Sequence, residues 1–275
     1  MTHLDARPTV LQIGIRQRSL RRTCRLGRAT ELVFILATGV TLALSDQVQA
    51  QTWDGDTSTN FQTGTNWVGD VAPAAVGAAV LNTGAGNQPL LGSGNVSTVG
   101  TVAVSAGTLT VEGILTVTNG VTITGGAVLI GGVGGAIIGN AATSGPGKLT
   151  VDATLSGAMT NDGVLEVGVG GNISGAVSSS GTGSNAGMLD STLEVTGGTF
   201  ENTGLVASDT TVSGGTLDLD LGSDLGNAAA LIVSGGTVNV DTAETVGSVV
   251  CQRQSKNEPK GIAKCCHFGV SEIAA

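Results

Sequence analysis

The sequence predicts an all-β chain wound as a right-handed parallel β-helix, a β-solenoid with coils of roughly 17–21 residues, preceded by a signal peptide. Three observations lead there. The first is a recurring phrase: "SGGTLDLDLG" at 213–222 returns as "SAGTLTVEG" at 105, "TGGTFENTG" at 196 and "SGGTVNVDT" at 234. Its second small residue makes a ruler, because Gly107, Gly126, Gly198, Gly215 and Gly236 lie 19, 72, 17 and 21 residues apart, and the long gap is four spacings of about 18. The second is period-two alternation in short runs bounded by Gly, Asn and Asp: Leu109, Val111; Val117, Val121, Ile123; Leu149, Val151; Leu165, Val167; Leu217, Leu219, Leu221; Val238, Val240. Such runs are strands with one face buried. The third is composition. Residues 51–250 hold 40 of the 45 glycines but only Trp53, Phe61, Trp67 and Phe200 as aromatics, which suits tightly stacked strands with a narrow interior.

Residues 1–50 read as an address rather than structure. Seven arginines precede Leu32–Leu44, a 13-residue apolar run, and Val48-Gln49-Ala50 supplies small residues before a cut between Ala50 and Gln51. That is a basic segment, an apolar segment and a cleavage site. The run is shorter than the roughly 20 residues of a membrane helix, so no membrane-spanning segment is expected in the mature chain. Residues 51–80 are expected to form an N-terminal cap and first coil, with Trp53 and Trp67 either closing the open edge of the solenoid or stacking on a sugar. Residues 81–250 are the repeats. In the phrase itself a Gly pair makes the corner through positive φ, threonine starts the next strand, and alternate branched residues point inward. The segments 141–147 and 170–187 read as loops that present a contact surface. Residues 251–275 break the pattern: basic, cysteine-bearing and without alternation, they read as a non-repeat tail foreign to the original frame. Loss of an end cap would then leave 241–250 as an unpaired edge open to self-association.

The opening "TWDGDTSTNFQTGTNWVGDVAPAA" at 52–75, with Trp-Asp-Gly, Asn66-Trp67 and a Pro-Ala step leading into valine-rich repeats, resembles the start of bacterial autotransporter (type V secretion) passenger domains. The "TAETVGSVV" at 242–250 resembles a phrase that recurs in the same passengers. The resemblance covers 51–250 and the long leader. It implies export, a stalk or adhesin-type display role at the cell surface or outer membrane, and as partners the export machinery and a host or cell-surface glycan or protein. The membrane β-barrel that ends such proteins has no counterpart in these 275 residues, so a truncated, periplasmic product is the expectation.

Charge and residue type narrow the chemistry. Residues 51–250 contain 16 of the 21 acidic residues against Lys148 alone, a formal charge of −15. Nucleic acid is therefore excluded as a partner, since phosphates are bound by Lys and Arg. His3 and His267 lie outside this body and so do Cys24, Cys251, Cys265 and Cys266, which removes histidine- and cysteine-based catalysis and disulfides from it. Asp54-Gly55-Asp56 lacks the further ligands of a calcium loop, 131–139 lacks the aspartate of a calcium-binding nonapeptide, and 181–187 lacks the lysine of a phosphate loop. Cys251, Cys265, Cys266 and His267 match no usual zinc spacing. No metal, cofactor or catalytic residue is assigned, and no enzyme is expected. Two alternatives stay open: a carbohydrate-active β-helix using Asp218 and Asp220 as an acid/base pair, and a secreted structural or ice-active protein using Thr116, Thr118, Thr122 and Thr124.

Overall fold

The computed structural model describes residues 49–251 apart from 85, 228, 242 and 243, together with the backbone strands Phe268–Val270 and Ile273–Ala274. The leader with its Leu32–Leu44 run, and Cys24, Cys265, Cys266 and His267, lie outside the described residues.

The strands stack in three parallel ladders, each strand pairing with its counterpart in the neighbouring coil, and the strands Ala141–Val151 and Met159–Val167 each run through two of the ladders. The first ladder runs from Ala78–Leu81 through Thr101–Val104 and Val121–Ile123 to Ser248–Cys251. The second runs from Leu90–Leu91 through Thr108–Val111 and Ala127–Ile130 to Phe268–Val270. The third runs from Val96–Val99 through Ile114–Val117 and Ala136–Ile138 to Leu205–Val206. The result is a β-solenoid of about 9 turns with about 18 residues per coil. Along the first ladder, register offsets extend from 16 residues at Val177↔Leu193 to 23 at Ala78↔Thr101, slightly beyond the expected range.

The alternation is the core. Leu109, Val111, Val117, Val121, Ile123, Leu149, Val151, Leu165, Val167, Leu217, Leu219, Val238 and Val240 are all buried, and each apolar column removes its side chains from water along the whole stack. Leu221 is the exception at 83% exposed: the strand ends at Leu219, and Leu221 falls in the following turn, where alternation no longer points inward.

The recurring phrase occupies one corner in successive coils. The column reads Gly107, Gly126, Gly147, Gly163, Gly181, Gly198, Gly215, Gly236, immediately before the second-ladder strands, so the gap of 72 residues contains three glycines that the phrase alone does not mark. Only Gly107, Gly198, Gly215 and Gly236 have positive φ. The requirement shared along the stack is close approach. A Cβ on Gly126 would stand 2.6 Å from the Gly107 carbonyl oxygen, one on Gly163 would stand 2.5 Å from that of Gly147, and one on Gly198 would strike the oxygen of Gly181. Carbonyl oxygens of this column also take part in the ladder: Gly107, Gly126, Gly198 and Gly215 accept from Ala127, Lys148, Thr216 and Thr237 at 2.9, 3.0, 2.9 and 2.9 Å.

Three sequence expectations require correction. Residues 141–147 are not a loop: they begin the strand Ala141–Val151, which turns the corner through a register shift between Ser144 and Lys148 with Gly145 at φ +56°. Residues 170–187 contain the strands Asn172–Ile173, Val177–Ser179 and Thr182–Asn185, because backbone pairing to neighbouring coils compensates for their small side chains. The segment 241–250 is not the last pairing element: Ser248–Cys251 crosses the expected boundary at 250, Phe268–Val270 pairs with Val238–Val240, and Ile273–Ala274 pairs with Glu244–Thr245.

The middle coils carry a polar interior that alternation alone does not mark. Thr143, Asn161 and Ser179 stack in register and are buried. Thr143 Oγ1 donates to Asn161 Oδ1 at 2.7 Å, and Asn161 Nδ2 donates to Ser179 Oγ and to the Thr182 carbonyl, both at 2.9 Å. One ladder over, Asn185 Nδ2 donates to Asn202 Oδ1 at 2.7 Å and Asn202 Nδ2 to the Gly204 carbonyl at 2.9 Å. Gly183 and Phe200 are register partners, and a Cβ on Gly183 would strike the Phe200 ring. The glycine thus makes room for the Phe200 side chain, buried among the repeats.

Candidate functional site

Two places hold more than repeat architecture: the N-terminal cap and a group of carboxylates on the second ladder. The cap starts at Gln51–Thr52, which pairs with Ala79–Val80, while Ala50 beside it is exposed. Trp53 N donates to the Val80 carbonyl at 2.9 Å, continuing that pairing. Trp53 and Trp67 are 1% and 0% exposed. Trp67 meets Trp53 edge-to-face at 5.0 Å and Phe61 at 5.1 Å, the geometry that aligns ring edges with ring faces. Both indole N–H groups are satisfied, Trp53 by the Asn87 carbonyl and Trp67 by the Phe61 carbonyl, each at 2.8 Å. Buried on all sides, these rings offer no face on which a sugar could stack.

Asn66 organises the cap loop, a role the sequence reading left unassigned. Its Oδ1 accepts from Thr57 N, Ser58 N and Thr57 Oγ1 at 3.1, 2.7 and 2.7 Å, and its Nδ2 donates to Ser58 Oγ and the Asn60 carbonyl at 2.8 and 2.9 Å. Its own carbonyl accepts from Asp54 N and Gly55 N at 3.0 and 3.1 Å. Asp54-Gly55-Asp56 is accordingly a turn folded onto Asn66, with Gly55 at φ +63°. Around the cap, Val68, Val71, Val76 and Val96 are exposed, and Phe61, Gln62, Ala72, Pro73 and Ser97 line a shallow hollow.

On the second ladder Glu201 and Asp218 are register partners, and Asp220 follows one outward position later. Asp218 Oδ1 accepts from Asn239 Nδ2 at 2.6 Å. The side-chain interaction with the Asp220 carboxyl, then desolvation and the negative charges of Asp220 and Asp218, raise the Glu201 pKa above the usual glutamate value. Lys148, which pairs with Glu166 at 2.7 Å, stands three coils away and offers no relief. The acid pair anticipated from sequence was Asp218 with Asp220; the structure adds Glu201 from the neighbouring coil and makes it the partner of Asp220. A register argument could have found it, since "TFEN" and "TLDL" occupy equivalent places in the phrase. These carboxylates stand on the outer side of a strand whose inner side, Leu217 and Leu219, is buried.

The four threonines do not form one array. Thr116 lies on the third ladder, opposite Thr98 and Ile138, and Thr118 just beyond that strand; Thr122 lies on the first, opposite Ala103 and Ala142, with Thr124 just beyond. Among the described residues, no group of three or more His, Cys, Asp or Glu side chains is arranged to hold a metal ion, and no helix is long and apolar enough to cross a membrane. No protein-family model, curated protein or solved structure matches the chain.

Proposed function

We propose that this chain is an exported, non-enzymatic β-solenoid passenger of an autotransporter-like surface protein, acting as a stalk or adhesin-type display module. The observation that carries the reading is the pairing of a parallel solenoid of about 18-residue coils with an aromatic N-terminal cap built from Trp53, Asn66 and Trp67, the residues on which the resemblance to such passengers rests. Backbone ladders and an interior satisfied by apolar contact in some coils and by hydrogen bonds in others give a stiff scaffold, a mechanical role that calls for no reactive group. The exposed valines beside the cap hollow supply a contact surface for a host or cell-surface partner. Export follows from the arginine-rich leader and apolar run.

The test is the intact mass and compartment of the protein expressed from its own gene. A chain starting at Gln51, found in the periplasm or at the surface, supports the proposal; a cytoplasmic chain retaining Met1 overturns it.

A second reading has one specific observation in its favour. The juxtaposition of Glu201 and Asp220, with the Glu201 pKa raised by its neighbour, is an arrangement that an acid/base pair in a carbohydrate-active β-helix would use. Release of reducing ends from acidic or neutral polysaccharides, abolished by both Glu201→Gln and Asp220→Asn, would establish it in place of the display role.

A further inference from the structure

The described residues contain three Asp-Gly or Asn-Gly steps: Asp54-Gly55, Asn119-Gly120 and Asp162-Gly163. A chain at such a step is open to attack on itself, because the glycine nitrogen can close onto the side-chain carbonyl carbon with no Cβ in the way. Two of the three are held back by hydrogen bonds. Gly55 N–H donates to the Asn66 carbonyl at 3.1 Å, and Gly163 N–H donates to Thr143 Oγ1 at 3.3 Å. Both also carry a carboxylate, which is a poor electrophile at neutral pH.

Asn119-Gly120 differs on each count. Asn119 is exposed, and among the described residues its side-chain amide has no hydrogen-bond partner and the Gly120 N–H donates to no group. Gly120 sits at φ +95° in the corner between Ile114–Val117 and Val121–Ile123. Six further asparagines among the described residues are disfavoured in identifiable ways. The amides of Asn66, Asn161, Asn185 and Asn202 are fixed by hydrogen bonds. Exposed Asn95 precedes branched Val96, and Asn140 precedes Ala141, whose N–H is tied to the Ala158 carbonyl at 2.9 Å.

We propose that Asn119-Gly120 is a site of spontaneous covalent modification that marks the age of the protein. The Gly120 nitrogen forms a bond to the Asn119 side-chain carbonyl carbon and gives up its proton. The bond from that carbon to the amide nitrogen breaks, and ammonia leaves with the proton. Water then opens the resulting succinimide at either carbonyl, giving aspartate or isoaspartate. The net change is one water consumed and one ammonia released, with no oxidant, reductant or enzyme. The aspartyl product adds a negative charge to an acidic body. The isoaspartyl product routes the main chain through the former side chain and lengthens the corner by one methylene. It does so where Asn119 N donates to the Gly100 carbonyl at 2.7 Å and the Gly120 carbonyl accepts from Val102 N at 3.2 Å.

The experiment incubates the folded full-length protein at mildly alkaline pH in ¹⁸O-labelled water and follows intact mass, released ammonia and the peptide 113–166 cut out after Glu112 and Glu166. The expected result is that the first amide-to-acid conversion falls on residue 119, carries one ¹⁸O, includes an isoaspartyl fraction, and accelerates with hydroxide. Asn119→Gln is expected to lose the early phase of ammonia release while keeping the circular dichroism of the parent. An early phase that persists in Asn119→Gln, a first conversion at another asparagine, or no conversion while the unfolded chain converts would each overturn the proposal.

Discussion

The coils between 101 and 130 and those between 159 and 202 share one backbone plan and differ inside. In the earlier pair the inward column reads Val104, Ile123 on the first ladder and Val111, Ile130 on the second, all buried and apolar. In the later group the same positions are Asn161 and Ser179, and then Asn185 and Asn202. Both interiors stack in register. The difference teaches that what the solenoid demands at an inward position is a side chain satisfied by the coil above or below, whether by apolar contact or by hydrogen bond. The second option is the more exacting, because a slip of one residue leaves a buried polar group unpaired.

The comparison breaks most strongly at what the two regions have in common, the glycine corner. Gly198→Ala places a Cβ against the Gly181 oxygen at a positive φ, and Gly126→Ala places one 2.6 Å from the Gly107 oxygen. Each is expected to destabilise by about 3 kcal/mol in urea unfolding, whereas Gly84→Ala, with nothing within 4 Å, stays within about 0.5 kcal/mol of the parent. If the clashing pair behave like Gly84→Ala, close approach is not what the corner requires.

Within the polar coils, Asn161→Ala strands the Thr143 and Ser179 hydroxyls and is expected to cost about 2–3 kcal/mol. A triple change of Thr143, Asn161 and Ser179 to valine removes the three side chains together and should recover part of that loss, the Gly163 N–H and the Thr182 carbonyl being the groups left without those partners. Thr210 sharpens the comparison from the other side. It is buried between Leu193 and Leu231 with an unpartnered Oγ1, so Thr210→Val is expected to stabilise by about 1–2 kcal/mol, measured as a shift in the denaturation midpoint.

The smallest effect is on the surface. The raised Glu201 pKa means that the folded state holds this proton more tightly than the unfolded chain. Its relative stabilisation is therefore present at acid pH and lost as pH rises through the raised value. Glu201→Gln carries no such proton and should be more stable than the parent at neutral pH, with a flatter stability profile over the interval just above the usual glutamate range. An unchanged profile would mean that solvent already screens the Glu201, Asp218 and Asp220 charges.

The coil length, the strand positions and most of the core were legible in the linear order of residues. Period-two alternation is a local property of a strand with one buried face, and Leu109, Val111, Leu165 and Val167 each announce it within four residues. The cap aromatics were legible as unusual in so aromatic-poor a chain. Their burial was not, since it depends on Asn66 folding the intervening loop back onto residues 54–60. Leu221 shows the limit of the alternation rule, which carries no information about where a strand stops.

By itself, then, the sequence determined a repeating chain of inward and outward residues with glycine at its corners, because periodicity and conformational preference are encoded within a few neighbouring residues. Only the tertiary structure decided which residues meet across coils: that Gly183 yields space to Phe200, that Thr143, Asn161 and Ser179 satisfy one another, and that Glu201 of the neighbouring coil stands against Asp220. Those contacts join residues 17 to 19 positions apart. Their registers are set by the coil-to-coil backbone pairing, and a shift of a single residue in any coil would have paired different side chains.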